Sequence, residues 1–164
     1  MYNKEKKQRG ISAMKNIYFD LDGTLADLYG INNWLDYLLN EDAFPYLKAE
    51  PMVNLSLLVR TLHRLQNKGF HIGIISWLSK NATIEYEDSV REAKLYWIKK
   101  HMPSMVFDEI HIIPYGTPKG SMGYGYLFDD EENNRTNWNG IAFSEKDIIK
   151  NLLDILHNNC KEEK

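Results

Sequence analysis

Residues 16–24 read Asn16-Ile17-Tyr18-Phe19-Asp20-Leu21-Asp22-Gly23-Thr24. The first part is a short run of the β-branched and aromatic types that suit a pleated, buried strand. It ends in two carboxylates at i and i+2, followed by a glycine that permits a sharp turn. In random sequence a D-x-D-G-T match in a chain this long arises on the order of once in a thousand, so chance explains it poorly. In an open parallel α/β sheet, ligands bind at the carboxyl ends of strands. A carboxylate pair at that place can divide the labour between nucleophile and general acid/base.

Outward from this stretch, short β-rich runs alternate with longer helical periods, which predicts a parallel sheet with crossover helices. Five strands are expected at residues 16–20 (NIYFD), 70–75 (FHIGII), 110–113 (IHII), 125–128 (GYLF) and 141–143 (IAF). Between them, Ile31, Trp34, Leu35, Leu38 and Leu39 form one apolar stripe. Leu55, Leu58, Val59, Leu62 and Leu65 form another, opened by Asn54 as N-cap and closed by Gly69. A third helix is expected over residues 85–101, with Val90, Ala93, Trp97 and Ile98 on its inner face. A fourth opens on Ser144-Glu145-Lys146-Asp147 in the manner of a capping box. Residues 1–13 are polar and aperiodic and read as a flexible tail. Residues 29–52 do not fit simple βαβ alternation and read as a small helical insertion over the site, within a single domain spanning residues 14–164.

Composition narrows the function. The chain has 164 residues, enough for one domain with its own core. With 20 Lys and Arg against 23 Asp and Glu, the net charge is −3, so no general positive field exists to gather nucleic acid. A dedicated nucleic-acid binder is not expected. The single cysteine, Cys160, cannot form an internal disulfide, which fits a reducing compartment. No apolar run reaches the ~20 residues of a membrane span, and the basic N-terminus has no apolar stretch behind it. The expected location is the cytoplasm, with no membrane partner. The five histidines are scattered without metal-ligand spacing, which argues against zinc.

Three further features fall at the strand ends. Ser76 follows the second strand, Lys119 lies in the loop after the third, and Asp129-Asp130 ends the fourth. The order D-x-D-G-T, Ser, Lys, Asp-Asp resembles the haloacid dehalogenase-like (HAD) hydrolase superfamily over roughly residues 15–156. The resemblance implies a Rossmann-like three-layer α/β sandwich around a five-stranded parallel sheet, with a minimal cap or none. It also implies phosphoryl transfer through an aspartyl phosphate with Mg²⁺. Carried over by position, Asp20 matches the nucleophile and Asp22 the acid/base, whose backbone carbonyl is a usual metal ligand. Ser76 matches the hydroxyl that bonds a phosphoryl oxygen, and Lys119 the cation that neutralises charge. Asp129 and Asp130 complete a Mg²⁺ site with Asp20 and Asp22. Hard Mg²⁺ takes such oxygen donors and offsets repulsion between a carboxylate nucleophile and a phosphate dianion.

A narrower similarity, carried by residues 20–27 (DLDGTLAD), 92–102 (EAKLYWIKKHM), 127–130 and 140–143, is to the 5′(3′)-deoxyribonucleotidase branch. Its members dephosphorylate nucleoside monophosphates, the substrate favoured here, with a sugar phosphate or other small metabolite as the alternative. Thr24 and the bulky Trp77-Leu78 depart from that branch and leave the substrate open. Thr24, Trp77 and Lys80 are expected to contact substrate, and Tyr29, Trp34 and Tyr46 to line its pocket or simply to pack. Lys80 competes with Lys119 for the phosphate-neutralising role, and Lys94 is a weaker competitor. Two other classes stay in view. One is a phosphoacceptor receiver module, disfavoured because the third strand ends without an aspartate. The other is a catalytically silent phosphate-binding relative.

Overall fold

Asn16 opens the first strand of a computed structural model that describes residues 14–162. The tail expected over residues 1–13 and the side chain of Cys160 lie outside the described residues. In chain order the elements begin with β1 (Asn16–Phe19), β2 (Ala26–Asp27), α1 (Trp34–Leu39), α2 (Phe44–Lys48) and β3 (Glu50–Pro51). They continue with α3 (Leu55–Asn67), β4 (His71–Trp77), α4 (Ile84–His101) and β5 (Glu109–Ile113). The last are β6 (Gly125–Phe128), α5 (Glu132–Thr136), β7 (Gly140–Phe143) and α6 (Ile148–Glu162).

The five main strands form one sheet in the order β5-β4-β1-β6-β7, and every pairing in it is parallel. Helices flank it, so the chain is α/β with a Rossmann-like arrangement. Counted along the chain, the sheet order is 3-2-1-4-5, which puts the topological switch between β1 and β6. A receiver module would have the 2-1-3-4-5 order instead. The chain ends leaving β1 and β6 therefore share one crevice, and Asp20 and Asp129 are the first residues beyond those two strands.

Parallel strands bury both faces, so their side chains must find cover on each. On one face Ile17, Phe19, Ile72, Ile74 and Phe128 are buried beneath Leu58, Leu62 and Leu65 of α3, Trp97 and Ile98 of α4, and Leu152 and Leu156 of α6. Phe19, Phe128 and Phe143 stand in register on adjacent strands, with ring centroids 5.0 and 5.1 Å apart. Each fully buried leucine on α3 contributes roughly 1.5–3 kcal/mol. The opposite face has a thinner cover. There Tyr18, Ile75, Ile113 and Leu127 pack with Trp138, and the β5–β6 connection, residues 114–124, crosses with only the 3-10 turn Lys119–Ser121 in place of a helix.

Several boundaries differ from the sequence expectation for local reasons. Strand β4 continues through Trp77, so Ser76 lies inside it, where its backbone is in register with Ile112. The last helix starts at Ile148 because Asp147 takes a left-handed φ of 56°; Ser144 Oγ accepts from the Lys146 amide at 3.3 Å in a turn ahead of it. Helix α1 starts at Trp34 because a 3-10 turn (Leu28–Gly30) and the left-handed Asn33 precede it. None of its residues is buried, so the apolar stripe faces something other than the core. Hydrogen bonds hold the insertion to α4 and its N-cap: Trp97 Nε1 donates to Ala49 O at 2.7 Å, Tyr86 OH to Asp42 O at 3.2 Å, and Thr83 to the Glu41 carboxylate through its amide at 2.9 Å and its Oγ1 at 2.7 Å.

On the thin face, Gly73 lies between Tyr18 and Glu109 in the register of β1, β4 and β5. A Cβ there would sit 2.7 Å from the Tyr18 ring, so its absence lets the phenol reach across and donate to Glu109. His111 Nε2 and His71 Nε2 lie 2.9 and 3.2 Å from the same carboxylate. Burial works against ionisation of Glu109, but the bonds from Tyr18 and the two histidines outweigh it and hold the carboxyl below its ordinary value. A depressed carboxyl stabilises the fold above its unfolded pKa, and that contribution is lost as pH falls through the folded value. Tyr18→Phe is expected to cost about 1 kcal/mol at neutral pH. Urea unfolding should show the difference from wild type shrinking as pH falls from the ordinary glutamate range, about 4, through the depressed value of the folded state.

Candidate active site

The loop after β1 closes on a single carbonyl. Leu21 O accepts from the amides of Leu25 and Ala26, both at 2.9 Å, while the Gly23 amide donates to Ala26 O at 2.8 Å. Leu21 and Leu25 are buried and peg the loop to the core. Gly23 has φ +79°, and a Cβ there would lie 2.5 Å from Asp130 Oδ2 and 2.8 Å from the Tyr29 ring. The glycine is required both by its backbone and by the close approach of the β6 acid. The Asp20 amide donates to Phe128 O at 2.8 Å and the Asp129 amide to Phe143 O at 3.0 Å, so the sheet itself sets both carboxylates.

Lys119 lies between those two acids. Its Nζ is 2.8 Å from Asp20 Oδ1 and 2.6 Å from Asp129 Oδ2, and the residue is 3% exposed. Burial works against the ammonium, but Asp20 and then Asp129 outweigh it and keep Lys119 above its ordinary value. Lys80, the competitor, lies on the pocket wall with its Nζ 5.8 Å from the Tyr115 ring centroid. Asp129 also accepts from the Glu131 amide at 2.9 Å and from Asn134 Nδ2 at 3.2 Å. Asp130 is pushed up to about 7, first by burial and then by the Asp20 and Asp129 charges. Asp129 moves in the same direction for the same reasons.

Asp20, Asp129 and Asp130 each offer an oxygen within 4.8 Å of the others. An all-carboxylate donor set fits a hard divalent cation such as Mg²⁺. The Asp22 carboxylate is not in that cluster: it is ion-paired with Lys94, which leaves the backbone carbonyl as the atom through which Asp22 would join a metal. Burial raises the Asp22 carboxyl and Lys94 pulls it back, with the net direction upward.

Two other expected residues do not reach the pocket. Thr24 is fully buried; its Oγ1 donates to Asp130 Oδ1 at 3.3 Å and accepts from the Asp130 amide at 3.1 Å. It therefore orients Asp130 instead of touching substrate. Ser76 is also fully buried, with Oγ 2.7 Å from Lys94 Nζ. Lys94 is the residue that sequence reading underrated. The signal was available, because Lys94 falls four residues after Val90 and three before Trp97, on the inner face of α4.

Asp20, Asp22 and Lys119 open into a pocket of about 410 Å³. The sheet side contributes Trp77, whose Nε1 donates to Thr117 O at 2.8 Å, and Tyr115, whose ring centroid is 5.0 Å from that of Trp77. The insertion contributes Tyr29 and Trp34, set edge to face with centroids 5.0 Å apart, and the Leu35, Leu38 and Leu39 side chains of α1. The stripe on α1 thus walls the pocket.

The raised carboxyl of Asp130 favours the folded state below its unfolded pKa, and that contribution is lost as pH rises through about 7. With EDTA present, the Tm contribution from this cluster is expected to fall between about pH 5 and pH 8. Added Mg²⁺ should raise Tm at pH 8 and much less at pH 5, where protons compete for the donors. A Mg²⁺ shift of equal size at both pH values would contradict the assignment. Among the described residues, no helix is long and apolar enough to cross a membrane.

No protein-family model and no curated protein matches the chain, so the chemistry of this site rests on its own residues.

Proposed function

We propose that the chain is a HAD-like, Mg²⁺-dependent phosphomonoesterase that works through a phosphorylated Asp20. The observation that carries this reading is the pairing of Asp20 with a buried Lys119, in a three-carboxylate cluster at the topological switch point and at the edge of a pocket. A carboxylate used only for structure would not need an adjoining oxygen-donor set and an opening sized for a small molecule.

In the first step a carboxylate oxygen of Asp20 attacks phosphorus, and the bond from phosphorus to the ester oxygen breaks. The electron pair leaves with that oxygen, which takes a proton from Asp22. In the second step a water attacks phosphorus and gives its proton to the Asp22 carboxylate. The bond to Asp20 breaks, restoring its carboxylate and releasing inorganic phosphate. The raised Asp22 carboxyl suits a group that alternates between acid and base. Lys119 holds Asp20 in place and stabilises charge on the transferring group. A Mg²⁺ held by Asp20, Asp129 and Asp130 would neutralise the phosphate against the nucleophile.

The aromatic walls of the pocket favour a nucleoside monophosphate. Tyr29 and Trp34 from the insertion and Trp77 and Tyr115 from the sheet side line the pocket and supply aromatic surface for a planar base. Lys80 and Asn81 supply polar edges. A sugar phosphate would use these faces less fully.

p-Nitrophenyl phosphate hydrolysis is expected to require Mg²⁺, to stop with EDTA, and to fall by about a thousandfold or more in Asp20→Asn. Activity that survives either treatment would overturn the mechanism. Across a panel of deoxyribonucleoside, ribonucleoside and sugar monophosphates, kcat/KM should be highest for a nucleotide, and Trp34→Ala should raise KM for it by about tenfold. Preference for a sugar phosphate would move the substrate assignment to that class.

A further inference from the structure

Lys94 is a charged side chain with no exposed surface, set on the inner face of α4 beside Val90, Ala93 and Trp97. An ammonium has three N–H donors and no acceptor. All three are spent: on the Asp22 carboxylate, on Ser76 Oγ at 2.7 Å and on the Trp77 carbonyl at 2.6 Å. The Tyr46 ring closes the remaining side, with its centroid 5.1 Å from Nζ. Lys94 therefore has no proton left for a substrate, and it does not line the pocket. Its only route to the chemistry runs through Asp22.

Asp22 makes that route effective. Lys94 is the one hydrogen-bond partner of its carboxylate among the described residues. The Asp22 side chain is 15% exposed and lines the pocket. One end of the carboxyl is thus tethered and the other is presented to the cavity. The tether reaches firm ground, because Ser76 and Trp77 belong to β4, which pairs with both β1 and β5. A methionine would fill the same apolar position on α4 without the several-kcal/mol cost of burying an ammonium.

We infer that Lys94 is a positioning residue that fixes the Asp22 carboxyl, through the end of β4, in line for proton transfer to the departing oxygen. The inference rests on the reading of Asp22 as the acid/base of a phosphomonoesterase. It has a consequence that a purely structural lysine would lack. Proton delivery matters most when the leaving oxygen is strongly basic, as in an alkyl phosphate, and least when a nitrophenolate departs as a stable anion.

The test compares wild type, Lys94→Met, Lys94→Gln, Asp22→Asn and the Lys94→Met/Asp22→Asn double variant. Each is assayed on p-nitrophenyl phosphate and on glycerol 2-phosphate, with unfolding monitored in parallel. Lys94→Met and Lys94→Gln are expected to lower kcat/KM, which reports only the formation of the phosphorylated Asp20, by about a hundredfold on the alkyl substrate and by less than about tenfold on p-nitrophenyl phosphate. The double variant should be no slower on glycerol 2-phosphate than Asp22→Asn alone, as expected of residues that act as one unit. Equal losses of kcat/KM on the two substrates, or losses that multiply in the double variant, would overturn the positioning role and leave the phosphatase reading intact. Failure of both Lys94 variants to fold while Asp22→Asn folds would make the lysine structural and also overturn it. A wild-type protein inert toward every phosphomonoester would overturn the phosphatase reading, and this inference with it.

Discussion

A buried ammonium between two carboxylates organises the crevice. The 3-2-1-4-5 order brings the ends of β1 and β6 side by side, and each strand delivers an aspartate to that point. Two buried carboxylates so close repel strongly, and the crevice needs a counter-charge to hold them together. Lys119 provides it at 2.8 and 2.6 Å. It arrives on the β5–β6 connection, which must cross the sheet to change direction and so passes the switch point. A strap with a 3-10 turn in place of a helix brings a lysine into the crevice instead of onto an outer layer. Removing one member of such a buried set costs about 3–5 kcal/mol, because it strands the charge of the others.

Around that triad, the acids are sorted by partner. Asp20 and Asp129 face Lys119, Asp130 is oriented by Thr24, and Asp22 is held by Lys94. Two carboxylates separated by a single residue thus sit in different electrostatic settings, which is the condition for giving them different tasks. The geometry is carried by elements far apart in sequence: the loop after β1, the end of β4, the middle of α4, the β5–β6 strap and the turn after β6. Each is locked to the sheet by backbone bonds or buried apolar pegs, so the site inherits the rigidity of the core and not that of a free loop.

Much of this was legible in the sequence where the signal is local. The five strands fall within two residues of the apolar runs at every end, because parallel strands buried on both faces write continuous hydrophobic stretches. The helix at Leu55 was marked by its cap, Asn54, whereas Thr83, which caps the helix at Ile84, was not picked out. The two-residue strands β2 and β3 left no periodic trace. The α1 stripe could be seen but not assigned, since leucines facing a cavity and leucines facing a core have the same spacing. Ser76 and Thr24 were placed at the site by position alone, and their burial depends on contacts with Lys94 and Asp130, 18 and 106 residues away. Lys94 shows the same limit from the other side. Its spacing puts it on the inner face of α4, but what it holds there shows only when the chain 72 residues earlier is brought against it.

The central claim is that Asp20 carries the phosphoryl group between the two steps. The direct measurement is to quench the protein with acid during turnover of a phosphomonoester in Mg²⁺, reduce with borohydride, and map the peptides by mass spectrometry. An acyl phosphate on Asp20 would be reduced to the alcohol, converting that residue alone to homoserine, and the product should vanish when substrate is omitted. Turnover with no reduced product at Asp20, or with reduction at another carboxylate, would contradict the account.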